Sequence, residues 1–174
     1  RYITIVPEVD LPGHTNAALA SYGELNSGII VPEEGRLVSP QSAMLGSKNR
    51  PTDMYIGRHV GFSTLRYEKP VTFKFVGDVL RELAAMTPGP YLHIGGDEAH
   101  VTAKADYIKF INRFKEIVGS NGKQMMGWNE IAQGELDSTD IAHFWDNQDY
   151  ARMAAEKGAR ILMSPAKKTY LDMQ

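Results

Sequence analysis

Short apolar runs alternate with helix-patterned stretches along this chain, and that alternation limits the fold more than any other feature. Tyr2-Ile3-Thr4-Ile5-Val6 is a near-continuous β-branched run ending at Pro7, the pattern of a strand buried on both faces of a parallel sheet. Tyr91-Leu92-His93-Ile94, Gln124-Met125-Met126-Gly127-Trp128, Ile141-Ala142-His143-Phe144-Trp145 and Arg160-Ile161-Leu162-Met163-Ser164 read as further strands. Helices are expected at about 15–25, from Pro70 to Thr87, at about 102–118 and at about 148–157. Pro70 suits a first turn, and Phe75, Val76, Val79, Leu80 and Leu83 share one helical face. Ile108, Ile111 and Val118 are expected to point inward, and Gly158 is a good C′ residue. Five strands separated mostly by helices specify βα-repeat architecture with a parallel sheet. Residues 26–61 interrupt it with Gly28, Pro32, Gly35, Pro40, Gly46, Pro51, Gly57 and Gly61, an irregular insert of the kind that forms lids.

Composition narrows the function classes. The chain has 174 residues with 19 Lys+Arg against 21 Asp+Glu, a net charge of −2. That balance gives no electrostatic reason to expect nucleic acid or an anionic membrane as partner. No apolar run approaches the roughly 20 residues of a membrane helix, and no signal-peptide pattern is present. With no cysteine, disulfides, thiolate metal sites and a Cys nucleophile are excluded. A chain that opens directly on a buried-type strand, without an initiator Met, is expected to be a piece of a longer polypeptide.

The residues with chemistry in them fall at or just after strand C-termini. Asp10 and His14 follow the first, Asp97 and Glu98 the second, Trp128 and Trp145 end the next two, and Tyr170 and Asp172 follow the last. In a (β/α)₈ barrel these ends share one face, the active-site face. An open doubly wound sheet would use a switch-point crevice and normally a glycine-rich phosphate turn, and no G-x-G-x-x-G or P-loop pattern is present.

Asp97-Glu98, introduced by Gly95-Gly96, is the sharpest feature. Like charges this close raise one carboxyl's pKa and keep an acid available near neutral pH. Most glycosidases place their carboxyls on opposite sides of the scissile bond, which neighbours with Cα atoms about 3.8 Å apart reach awkwardly. The pair suits a substrate that supplies its own nucleophile; a solvated acidic loop is the bland alternative. Trp128 and Trp145 read either as core or as walls for a methyl group or sugar face. Tyr170 and Asp172, two residues apart, point together if extended. His93, Asp97, Glu98 and His100 cluster in sequence but do not match the one-turn spacing of H-E-x-x-H, so no metal or other cofactor is expected. His14 after Pro12-Gly13 reads equally as a turn histidine, and His59 and His143 receive no role.

Taken together, Val6-Pro7-Glu8-Val9-Asp10-Leu11-Pro12-Gly13-His14 and Tyr91-Leu92-His93-Ile94-Gly95-Gly96-Asp97-Glu98-Ala99-His100 resemble the signatures of β-N-acetylhexosaminidases of glycoside hydrolase family 20. Gly127-Trp128, Ser164-Pro165 and Tyr170-Leu171-Asp172 agree in order and spacing, and only 26–61 lies outside the likeness. The resemblance implies a (β/α)₈ TIM barrel of which this chain is a partial segment, about strands three to seven. All of 1–174 then belongs to a single catalytic barrel. The first two strands and the last would lie elsewhere, with a sugar-binding Arg and a Trp and Glu that close the pocket. Five-eighths of a barrel leaves apolar edge strands open, so the segment alone is expected to be inactive and poorly soluble.

The resemblance also implies exo-acting, retaining, substrate-assisted hydrolysis of terminal GlcNAc or GalNAc, an exception to the two-carboxylate scheme. Glu98 would be the general acid and base, Asp97 the acceptor of the acetamido N–H, and Tyr170 a donor to the acetamido oxygen. Trp128 and Trp145 would enclose the methyl and Asp172 bind a sugar hydroxyl. Asp10 and His14 would lie near the site, His14 helping to set the protonation of Glu98. The expected partners are N-acetylhexosamine-containing oligosaccharides or glycoconjugates. Oligomeric state and compartment stay open, a secreted or cell-envelope location being compatible with the likeness. Two alternatives remain: a catalytically silent N-acetylhexosamine-binding module on the same barrel, and an unrelated metal-dependent βα-barrel hydrolase.

Overall fold

The computed structural model describes residues 2–26, 28–38 and 51–172. Its centre is a four-stranded sheet of β3 (Tyr91–His93), β4 (Gln124–Trp128), β5 (Ile141–Phe144) and β6 (Arg160–Met163), in sequence order. The strands run parallel, in register at Leu92–Met125, Gly127–Ala142 and His143–Leu162. Helices α2 (Pro70–Met86), α3 (Lys104–Ser120) and α4 (Gln148–Glu156) alternate with them, as the periodicity predicts. All strand C-termini therefore face one way.

Pro70 stands in the first turn of α2, and Gly158 closes α4 with φ of 84°. From α2, Val76 and Leu80 are fully buried, with Phe75, Val79 and Leu83 partly so. The inward arc of α3 is Tyr107, Phe110, Ile111, Phe114, Ile117 and Val118. Ile108, expected in that arc, is only half-buried. At about 100° per residue the arc centres on three aromatic rings, which carry more apolar area than Ile108. Phe110 stacks on Phe114 at 5.3 Å and meets Tyr67 edge-on at 5.4 Å.

The opening run departs from its expectation. Residues 7–11 lie parallel to β3, with the Val9 amide donating to His93 O (3.0 Å), the Leu11 amide to Ile94 O (2.9 Å) and the His93 amide to Pro7 O (3.0 Å). Earlier in the run, Tyr2, Ile3 and Ile5 are exposed instead of buried on two faces. A parallel strand is buried on both faces only where other elements pack over them, and residues 2–5 precede the stretch paired with β3 and have little packed on them among the described residues. At the other edge of the sheet, Leu162 and Met163 of β6 are likewise exposed.

The first predicted helix divides into α1 (Asn16–Ser21) and a 3₁₀ turn (Gly23–Leu25). Within the irregular insert, β1 (Arg36–Leu37) pairs antiparallel with β2 (Met54–Tyr55). The Asn16 side chain ties that hairpin to α1, donating to Asp53 O and accepting from the Tyr55 amide, each at 2.9 Å. Residues 39–50 of the insert lie outside the described residues. Among the described residues no helix is long and apolar enough to cross a membrane.

Candidate active site

The turn after β3 is fixed by its glycines. Gly95 and Gly96 have φ of 69° and 99°, a region open to glycine at no steric cost. A Cβ on Gly95 would lie 2.7 Å from Asp10 Cα, and one on Gly96 2.7 Å from Ile131 Cγ2. The Gly95 carbonyl accepts the Trp128 amide (2.7 Å) and the Gly96 carbonyl accepts the Tyr107 hydroxyl (2.6 Å). Held from two sides, the turn presents Asp97 and Glu98 beyond the strand end. Glu98 itself has φ of 45°, a strained conformation for a non-glycine residue.

His14 meets this pair from the other chain segment. Its Nε2 lies 3.4 Å from Asp97 Oδ2 and 3.3 Å from Glu98 Oε2, and its φ of 53° is also left-handed. The Asp97 carboxylate, through hydrogen bonding and then charge, raises the His14 pKa against the opposing effect of burial, with Asp10 and Glu98 adding their charges. Burial raises the Asp10 carboxyl, and the nearby charge of Asp97 adds to it. Asp97 Oδ1 is buried and accepts no hydrogen bond from the described residues. Among the described residues, His14, Asp97 and Glu98 are also a group of side chains that could hold a cation, with ligand atoms within 4.8 Å of one another. The sequence cluster of His93 and His100 with the two acids does not form that group.

A cleft of about 190 Å³ opens above the strand ends, lined by Asp97, Glu98, Trp128, Trp145 and Tyr170. The two indoles meet at 6.4 Å and 71°, a corner rather than parallel walls, and the Tyr170 ring lies near parallel to Trp145 at 6.5 Å. Trp128 stacks on His143 at 4.2 Å and packs edge-on against His93 at 5.1 Å. Burial lowers the pKa of both histidines, His93 to about 4. Trp128 therefore rests against uncharged imidazoles at neutral pH.

Of the predicted site residues, five line the cleft, and His14 and Asp10 stand behind the acidic pair. Asp172 is exposed and outside the lining, because a helical turn α5 (Ala166–Thr169) intervenes after β6 and a turn follows Tyr170. The extended pairing of Tyr170 with Asp172 is thus not formed. Four residues without a predicted role surround the cleft. Glu8 Oε1 accepts the Trp128 indole N–H at 2.9 Å, and Glu130 accepts that of Trp145 at 3.3 Å on each oxygen. Burial, followed by the charge of Asp10, lifts Glu8 to about 7, and burial lifts Glu130 to about 7. Asn129 Oδ1 accepts the Trp145 amide at 3.0 Å, and His143 Nε2 lies 2.9 Å from Ser164 Oγ. Glu8 stands two residues before Asp10, so strand alternation puts both on one side of the chain, a signal present in the sequence.

The sequence matches the catalytic domain of glycosyl hydrolase family 20 over residues 1–107 and 101–174. It is 40% identical over 177 residues to a β-N-acetylhexosaminidase of Cellulomonas fimi, covering 100% of this chain and 32% of that protein. The fold superposes on the GH20 β-N-acetylhexosaminidase from Streptomyces coelicolor with a TM-score of 0.83 at 41% identity, over 99% of this chain and 32% of that one. A mutant Streptomyces plicatus β-hexosaminidase in complex with GlcNAc gives the same TM-score, identity and coverage. The chain therefore spans about a third of the length of these relatives. Relatives of this kind have a TIM-barrel catalytic domain, and the parallel strands and alternating helices here are a segment of such a barrel. The chain belongs to the catalytic domain of glycosyl hydrolase family 20.

Proposed function

We propose that the protein carrying this chain is an exo-acting, retaining β-N-acetylhexosaminidase that removes terminal GlcNAc or GalNAc with help from the substrate's own 2-acetamido group. The observation that carries the reading is the cleft in which Asp97 and Glu98 stand beside Trp128, Trp145 and Tyr170. The catalytic domain is a single barrel to which all of 1–174 contributes.

The chemistry follows from the groups. The acetamido oxygen attacks C1 as the C1–O bond to the leaving group breaks, and Glu98 gives its proton to the departing oxygen. The resulting oxazolinium-like ring carries positive charge shared with the amide nitrogen. Asp97 Oδ1, a buried acceptor with no hydrogen bond from the described residues, takes the N–H and stabilises that charge. Placing it in a partly dry cleft strengthens this effect over the same contact in water. Tyr170 donates its O–H to the acetamido oxygen and aims it at C1. The indole corner of Trp128 and Trp145 receives the methyl, an apolar group that only shape can recognise. Ionised Glu98 then removes a proton from water, which opens the ring at C1 and restores the original anomeric configuration. Holding nucleophile and electrophile in one molecule supplies a large effective molarity, worth on the order of 7–11 kcal/mol of the barrier for a well-oriented pair.

His14 supports the dyad electrostatically, placing a partial or full positive charge 3.3 Å from Glu98, and Asp10 sits behind it. Asp172, exposed after Tyr170, offers a carboxylate to a sugar hydroxyl. Incubating the intact protein with a chromogenic β-GlcNAc glycoside and following the released sugar by NMR tests the reading. The β anomer should appear first and mutarotate afterwards. Saturable sugar binding without release of the chromophore would favour the silent binding module instead.

A further inference from the structure

Both indoles of the cleft are held by carboxylates that do not line it. Trp128 Nε1 donates to Glu8 Oε1 at 2.9 Å, and Trp145 Nε1 lies 3.3 Å from both oxygens of Glu130. The two tethers come from different places. Glu8 belongs to the segment running beside β3, and its Oε1 also lies 3.6 Å from His93 Nδ1, whose ring packs on Trp128. Glu130 follows two residues after Trp128, so the tripeptide Trp128-Asn129-Glu130 forms one wall and grips the other. Asn129 completes the grip: its Oδ1 accepts the Trp145 amide (3.0 Å), and its Nδ2 donates to Glu130 Oε2 (3.2 Å) and Asp146 Oδ1 (3.1 Å). The Trp145 carbonyl is fixed in turn by the Ala166 amide at 2.7 Å.

Apolar packing is non-directional and leaves an indole free to slide or tilt within its contacts. A hydrogen bond from an indole N–H is directional, and a carboxyl oxygen accepts it in either protonation state. Keeping a carboxylate in a partly buried place is costly, and both acids are lifted to about 7, with the indole N–H bond opposing the shift in each case. At half-buried Glu130 an Ala or Leu would avoid that cost, so packing alone does not account for that acid; Glu8 is exposed and is tied to the cleft by its bond to the Trp128 indole.

We propose that Glu8 and Glu130 are positioning residues that set the N-acyl selectivity of the cleft, by holding Trp128 and Trp145 at the corner angle that fits an acetyl group and excludes longer acyl chains. The inference rests on the proposed hexosaminidase reading. Neither acid touches the reacting atoms; each acts through an indole.

The test measures kcat/KM of the intact protein on chromogenic glycosides of N-acetyl-, N-propanoyl- and N-butanoyl-glucosamine. Glu8→Leu and Glu130→Leu should lower the acetyl-to-butanoyl preference by up to about tenfold, the upper end of the net value of one ordinary hydrogen bond, chiefly through KM. Glu8→Gln and Glu130→Gln, whose amide oxygens still accept the N–H, should keep most of the preference. Trp128→Phe, which retains an aromatic wall and deletes the N–H, should relax selectivity as Glu8→Leu does. The double variant Glu8→Leu/Trp128→Phe should add little to either single change. Folded Leu variants with wild-type selectivity, or fully additive effects in the double variant, would overturn the inference while leaving the hydrolase reading intact. Should the Leu variants not fold, an unchanged preference in Trp128→Phe overturns it equally. A wild-type protein that hydrolyses none of the three substrates would remove the hydrolase reading itself, and the inference with it.

Discussion

His14 Nε2 stands 3.3 Å from Glu98 Oε2, and both residues hold left-handed backbone, with φ of 53° and 45°. Among the described residues the third non-glycine residue of this kind is Tyr2, outside the cleft. Such conformations are unfavourable by on the order of 1–3 kcal/mol and persist where surrounding structure imposes them. Here an imidazole whose pKa the acids raise is brought against the pair from a separate chain segment.

That contact predicts a pH-dependent stability difference. The folded-state pKa of His14 is raised by Asp97, so its contribution is fully present below the unfolded value near 6.5 and is lost as pH rises through the folded one. His14→Gln should therefore lower Tm most at pH 5–6 and least at pH 9, as read by thermal unfolding. The activity of this variant should fall as well, by kcat more than KM.

Separating the two acids requires substrates chosen for each role. Glu98→Gln should lower turnover of glycosides with poor leaving groups by roughly 10²–10⁴, the usual range for a general acid, and spare the first step with a nitrophenolate leaving group. Asp97→Asn should lower kcat on N-acetyl substrates by roughly 10²–10³, with far smaller losses on analogues that lack the amide. Steady-state kinetics on the two substrate series checks both. Equal losses of Asp97→Asn on both series would contradict its role.

Gly95→Ala should unfold the turn that carries the dyad. The new Cβ would lie 2.7 Å from Asp10 Cα at a backbone φ of 69°, so strain and clash add. A loss of more than about 3 kcal/mol is expected, seen as a lower denaturant midpoint with loss of activity in whatever fraction stays folded.

Glu130 gives the same pH sense as His14, in a lower window. Burial raises its pKa from 4.5 to about 7, so between those values the folded state keeps a proton that the unfolded chain has released. Stability falls as pH rises through that window. Glu130→Gln removes the titration, and its Tm relative to wild type should be more favourable at pH 8 than at pH 5. A difference that does not vary with pH would contradict the assignment.

The architecture and the dyad were legible because they depend on local pattern. Strand and helix periods placed β3 to β6 and the helices between them, and the double glycine marked a turn that tolerates no side chain. What the sequence did not reveal depends on long-range packing. Glu8 and Trp128 are 120 residues apart, and no periodicity links them. His143 sits half-buried on β5, and nothing in the sequence shows that Trp128 stacks on it. The exposure of Ile3 and Ile5 reflects which neighbours flank the run, a matter of topology rather than propensity. Asp172 fell outside the cleft lining because α5 and the turn after it replaced the extended path assumed for Tyr170 to Asp172.

Neighbouring-group attack by the acetamido oxygen is tested most directly by progressive fluorination of the substrate's N-acetyl methyl. Each fluorine weakens that oxygen as a nucleophile while leaving the leaving group unchanged. kcat/KM should decline steeply and monotonically from acetamido to trifluoroacetamido substrates. A flat series would contradict substrate assistance and move the nucleophile from the sugar to the protein or to water.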